Sequence, residues 1–181
     1  MEKTEDKRSK DIVLVPFCIL CQAFQAKGIV RFDWKATIKP LVDELSNSDI
    51  NIIQMPCPES QFNGWKKGLS REPMGYKEYN TPEFRKLCSK LAEDVLDMIK
   101  GILENGYNIL AIMGIEMSPS CSVNYQYTNK GMINLSGVYI QELKKLLDEN
   151  NLDIKFIGIN RRHVGKSHRD LKALIENRTL I

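Results

Sequence analysis

The chain has almost no excess charge and no long apolar run. Lys and Arg number 26 against 23 Asp and Glu, a net charge of +3 with the basic residues spread along the sequence. So weak a balance argues against nucleic acid or a membrane surface as the main partner. No apolar stretch approaches the roughly 18 residues that would cross a bilayer. The opening MEKTEDKRSK lacks the apolar segment of a secretory signal, so a cytoplasmic protein with reduced thiols is expected. No Gly-x-Gly-x-x-Gly follows a candidate strand, which argues against a dinucleotide cofactor. Histidine is scarce, with only His163 and His168.

What remains is an ordinary globular composition, 43% apolar and 27% charged over 181 residues, a length that suits one domain. Residues 1–10 read as a charged, flexible start, and 11–181 as a single domain without repeat or linker. Apolar runs rich in Val and Ile predict strands over 11–16 (DIVLVP), 49–55 (DINIIQM), 107–115 (YNILAIMGI) and 154–159 (IKFIGI). Helical spacing appears at 34–45, with Asp33 as cap and Pro40 as an irregularity. Thr81-Pro82-Glu83 opens the clearest helix, with an apolar stripe at Phe84, Cys88, Leu91, Val95, Met98 and Ile102 and Gly106 as its C-cap. Further helices are expected over 135–147 and 169–175, and an ordered loop over 56–80. Strands alternating with helices predict a three-layer α/β/α, Rossmann-like domain around a mostly parallel sheet of four to five strands.

The five cysteines carry the chemistry. Their odd number and the expected compartment favour metal-binding, catalytic or buried thiols over disulfides. Cys88 lies on the stripe of its helix and reads as core. Cys18, Cys57 and Cys121 each follow a predicted strand, 39 and 64 residues apart. In an open parallel sheet, ligands bind beyond the carboxyl ends of the strands, so three strands deliver three thiols to one edge. Pro56-Cys57-Pro58 and Ser118-Pro119-Ser120-Cys121 restrict the backbone around two of them. Cys18-x-x-Cys21 has metal-pair spacing but no second such pair accompanies it. Three thiolates leave two cofactors open. Zinc needs a fourth ligand, from His163 or His168; an iron–sulfur cluster held by three cysteines leaves one iron open for substrate, or for Cys21 as a further ligand.

Cys18-Ile-Leu, Cys57-Pro-Glu and Ser118-Pro-Ser-Cys121, in that order, resemble the DUF523 family. The segments GIVRFD (28–33), GLSREP (68–73) and TPEFRKLC (81–88) resemble a desulfidase-related branch of it. The likeness is good from residue 13 to 124 and looser beyond. It implies a [4Fe-4S] cluster on Cys18, Cys57 and Cys121 and removal of sulfur, as sulfide, from a thiocarbonyl compound of the thiouracil or thiouridine kind. Ser122 stands where the wider family has glycine. Glu59, beside a ligand, is the expected acid or base; Ser118 and Ser120 are expected to orient substrate or water, and Arg71 to bind an oxygen of the substrate. Trp65 or Tyr76 is a candidate for stacking on a heterocycle. A non-catalytic metal or iron–sulfur protein that binds or senses thio-compounds or sulfide is the alternative, and so is a cluster-free thiol protein using Cys18 and Cys21.

Overall fold

A computed structural model describes residues 6–30, 33–128 and 131–178. Its elements run β1 (Asp11–Pro16), α1 (Phe17–Leu20), α2 (Lys39–Asn47), β2 (Asn51–Met55), α3 (Pro58–Leu69), α4 (Tyr76–Tyr79), α5 (Pro82–Glu104), β3 (Asn108–Ile115), β4 (Tyr125–Thr128), β5 (Gly131–Asn134), α6 (Val138–Glu149), β6 (Phe156–Ile159) and α7 (Val164–Asn177). The four expected strands form one parallel sheet in the order β2-β1-β3-β6. Residues 1–5 of the expected flexible start lie outside the described residues; within 6–10, Asp6 pairs with Arg8 and Lys10 at the surface.

The pleat sorts β1 between two cores, because successive side chains point to opposite faces. Ile12 and Leu14 pack with the stripe of α5 and with Tyr139, Leu143 and Leu147 of α6. Val13 and Val15 pack on the other side with Leu41 and Leu45 of α2 and Leu171 and Ile175 of α7. The result is the expected three-layer α/β/α arrangement. The Thr81 hydroxyl accepts from the Phe84 N–H at 3.2 Å at the start of α5, a cap worth about 1 kcal/mol. Each fully buried Phe or Ile on the stripe contributes about 1.5–3 kcal/mol, so packing dominates this helix.

Three local expectations differ. The helix expected from 34 begins at Lys39, with Pro40 in its first turn, where a missing N–H costs nothing. The expected loop over 56–80 is mostly helical: α3 starts with Pro58, carries Glu59 in its first turn and ends on Lys66 and Lys67, all favourable placements. Gly64 (φ 72°) takes a left-handed conformation that kinks α3. The antiparallel hairpin of β4 and β5 was not expected, since its short strands alternate too briefly to stand out.

The strand order places the connections from β1 and β3 on opposite sides, so a crevice opens where their carboxyl ends adjoin. The loop after β3 is fixed from two directions. Its carbonyls cap the start of α6: Pro119 O accepts from Val138 N at 2.9 Å and Ser120 O from Tyr139 N at 3.0 Å, satisfying donors that a helix start leaves open. Gly114 and Gly137 let it approach closely, for a Cβ at Gly137 would sit 2.3 Å from the Ser120 carbonyl carbon and one at Gly114 2.2 Å from the Cys121 oxygen. Gly137→Ala is therefore expected to lower stability by about 1–3 kcal/mol in urea unfolding. Gly101→Ala, in α5 with nothing within 4 Å of the added carbon, is expected to raise it by roughly 0.5–1 kcal/mol. Equal effects would contradict this packing.

Candidate functional site

Cys18 is the second residue of α1, directly beyond β1; Cys57 immediately precedes α3, beyond β2; Cys121 lies in the loop beyond β3. All five cysteines are free thiols. These three line one cavity of about 160 Å³, several times the volume on the order of 10–15 Å³ that one water needs. Its apolar wall includes Phe17, Phe24, Ile29 and Met74; its polar wall includes Glu59, Ser118, Ser120 and Arg161.

Their electrostatics tie the three thiols together. Burial, then the neighbouring Cys57, pushes the Cys18 thiol up to about 12. Burial and then Glu59 raise Cys57, against a hydrogen bond with Ser60. Burial, Cys57 and Cys18 raise Cys121 well above the ordinary thiol value. Cys57 opposes ionisation of Cys18 and of Cys121, whereas the Arg161 and Arg71 guanidiniums favour it at Cys18.

Beside them lies a buried polar network. Glu59 Oε2 accepts from Arg71 Nε at 3.0 Å, in an ion pair whose side chains are 8% and 10% exposed for Arg71 and Glu59. Glu59 Oε1 accepts from Ser120 Oγ at 2.7 Å and Ser118 Oγ at 3.2 Å. Ser118 Oγ in turn accepts from the Cys121 N–H at 3.1 Å. The Cys57 thiol donates to Ser60 Oγ at 3.3 Å. One carboxylate thus links the start of α3, which carries Cys57, to the loop that carries Cys121.

Arg71, expected to bind a substrate oxygen, lines the cavity and is bound into this network. Besides Glu59, its nitrogens reach Ser60 Oγ at 3.3 Å, the Gly68 carbonyl at 2.6 Å and the Phe24 carbonyl. The kink in α3 turns the chain back on itself and brings Arg71 onto its own helix start. Cys21 terminates α1 and is absent from the cavity wall. His163 is exposed before α7, and His168 pairs with Glu44 at 2.8 Å; neither lines the cavity, so a histidine-completed zinc site is not assembled. Among the described residues, no three His, Cys, Asp or Glu side chains are placed to hold a single metal ion. Trp65 packs edge-on against Phe24, ring centroids 5.6 Å apart. The Tyr76 hydroxyl accepts from Arg85 Nη2 at 3.2 Å and Gln141 Nε2 at 3.0 Å, between α5 and α6. Cys88 is buried in the core, as its stripe position predicts.

Two groups escaped the sequence reading. Glu116, 1% exposed, directly follows β3 and gathers the Cys121 loop: Ser122 Oγ, Asn124 Nδ2 and the N–H groups of Asn124 and Tyr125 all donate to it. Ser122 therefore holds its loop to Glu116 through its hydroxyl. Arg161, two residues beyond β6, reaches the cavity; the run RRH reads as a solvated basic loop in sequence, although it follows a strand at the same sheet edge.

No family model matches the chain. It is 29% identical over 171 residues, 93% of its length and 99% of the relative's, to an uncharacterized protein, MJ0003, of Methanocaldococcus jannaschii. Among solved structures it is similar to a [4Fe-4S]-dependent thiouracil desulfidase, TudS (DUF523), with 20% identity, a TM-score of 0.46 and coverage of 91% of this chain and 99% of that one.

Removing Arg71 leaves a buried carboxylate without its counter-charge. Arg71→Met is expected to cost about 3–5 kcal/mol in urea unfolding, and Glu59→Gln in the same chain to recover part of it. A loss below about 1 kcal/mol would mean that the pair is effectively solvated.

Proposed function

We propose that the chain is an iron–sulfur-dependent desulfidase that removes sulfur, as sulfide, from a thiocarbonyl compound of the thiouracil or thiouridine kind. The observation that carries this reading is the convergence of Cys18, Cys57 and Cys121 on one cavity whose wall is the Glu59 carboxylate. The donor set fits a cluster better than zinc. Three cysteines without a histidine or fourth thiol at the wall suit a three-cysteine cluster. Cys18, Cys57 and Cys121 would hold it. When bound, it supplies an iron with an open position, a Lewis acid for the sulfur of the substrate.

The chain's own residues then have separable tasks. Phe17, Phe24 and Met74 give a flat heterocycle an apolar wall and keep bulk water out. Glu59 takes a proton from the attacking water and returns it to the departing sulfur. Its orientation is fixed by Arg71, Ser118 and Ser120, which is the preorganisation that proton transfer needs. The reaction balances without electron transfer: water adds at the thiocarbonyl carbon, the C–S bond breaks, and thiocarbonyl plus water becomes carbonyl plus hydrogen sulfide.

With anaerobically reconstituted protein, sulfide release from 2-thiouracil or 4-thiouridine is expected, with kcat reduced about 10²- to 10⁴-fold in Glu59→Gln. Iron-loaded protein that releases no sulfide across a panel of thio-compounds would instead mark a binding or sensing protein.

A further inference from the structure

Tyr139, in the first turn of α6, is fully buried. Among the described residues its phenol oxygen has no hydrogen-bond partner. A buried hydroxyl left unpaired is destabilising, and native folds hold few of them. Phenylalanine would fill the same place without that cost, so the hydroxyl needs an acceptor to justify it.

The backbone shows where that acceptor lies. The Tyr139 N–H donates to the Ser120 carbonyl at 3.0 Å, so α6 starts on the loop that presents Cys121. Long side chains in a helix lean toward its N-terminus, which directs the phenol to that loop. Tyr139, Cys121 and Cys88 belong to one buried cluster on the α5 and α6 side of the sheet. Burial raises the phenol well above its ordinary pKa, with Cys121 the next influence, ahead of Cys88 and Asp94. Tyr139 therefore keeps its proton and stands as a donor. Cys121 meets two environments: it lines the cavity, where the Ser120 hydroxyl lies 3.4 Å from its sulfur, and it packs in the core cluster of Tyr139.

What metal binding changes at Cys121 is its strength as an acceptor. A thiol sulfur accepts hydrogen bonds weakly, whereas the metal ligand is the thiolate. Hydrogen bonds to ionised acceptors are roughly twice as strong as neutral ones. We propose that Tyr139 tunes the cluster site from the core side, its hydroxyl donating to the sulfur of Cys121 once that sulfur is an iron-bound thiolate. Such a bond draws charge from the thiolate, which favours the reduced cluster and makes the irons stronger Lewis acids. This rests on the three-cysteine cluster of the proposed function.

The test uses reconstituted wild-type protein, Tyr139→Phe and Cys88→Ala, each with its iron counted. Three readouts are taken: the midpoint potential of the cluster, the rate of iron loss to a chelator, and urea unfolding of the cluster-free full chain. Tyr139→Phe is expected to take up as much iron as wild type and to lose it about tenfold faster. Its reduction equilibrium should shift about tenfold toward the oxidised cluster, a potential lower by about 59 mV for one electron. Its cluster-free form should unfold at the same urea concentration as wild type or a higher one, because an unpaired hydroxyl has been removed. Cys88→Ala, which removes the other nearby sulfur, should leave the potential unchanged. The assignment is overturned by a Tyr139→Phe cluster with wild-type potential and iron retention, by a cluster-free Tyr139→Phe that is less stable than wild type, or by an equal potential shift in Cys88→Ala. Wild-type protein that takes up no cluster overturns it together with the desulfidase reading. A potential that depends on Tyr139, in a protein releasing no sulfide from any thio-compound, sinks the desulfidase reading and leaves the Tyr139 assignment standing.

Discussion

The site depends on one buried ion pair. Glu59 and Arg71 lie about nine-tenths buried and 3.0 Å apart, and such a pair seldom adds net stability over apolar residues of the same shape. Its value here is positional. The carboxylate takes a hydroxyl from each of Ser118 and Ser120, while Arg71 ties down the helix start that carries Cys57 and the carbonyl of Phe24. Three loops from three strands are thereby fixed to one another through one pair of side chains. A hydrophobic substitute would fill the volume without fixing the loops.

That constraint explains how buried thiols can stand close together. Thiols in such surroundings resist ionisation, and Cys57 raises both Cys18 and Cys121 further. A chain that meant only to bury cysteines would scatter them on apolar stripes, as it does with Cys88. Cys57 and Cys121 instead sit beside Ser60 and Ser120, whose hydroxyls lie 3.3 and 3.4 Å from the sulfur. The Ser120 hydroxyl that lies beside the Cys121 sulfur also positions Glu59.

Much of this was legible in the sequence because it rests on local signals. The four apolar runs, the Thr81 cap and the alternation within β1 specify the layers almost residue by residue. The placement of Cys18, Cys57 and Cys121 followed from strand ends alone. What was hidden depends on contacts across the fold. Gly64 and Gly68 disguised α3 as loop, although Pro58 and Glu59 carried a helix start. Arg71 has the chemistry of a substrate ligand, and only the return of the chain through the α3 kink shows that it clamps Glu59. Glu116 and Arg161 lie at strand ends like the cysteines, yet single charged residues at such places carry no pattern that distinguishes them from surface.

The central claim is that the three cysteines hold a cluster, and anaerobic reconstitution followed by counting iron and acid-labile sulfide tests it most directly. The account predicts about four irons and four sulfides per chain, lost on Cys57→Ala and retained on Cys21→Ala and Cys88→Ala. Protein that takes up no iron, binds zinc in its place, or keeps its iron in Cys57→Ala would contradict it.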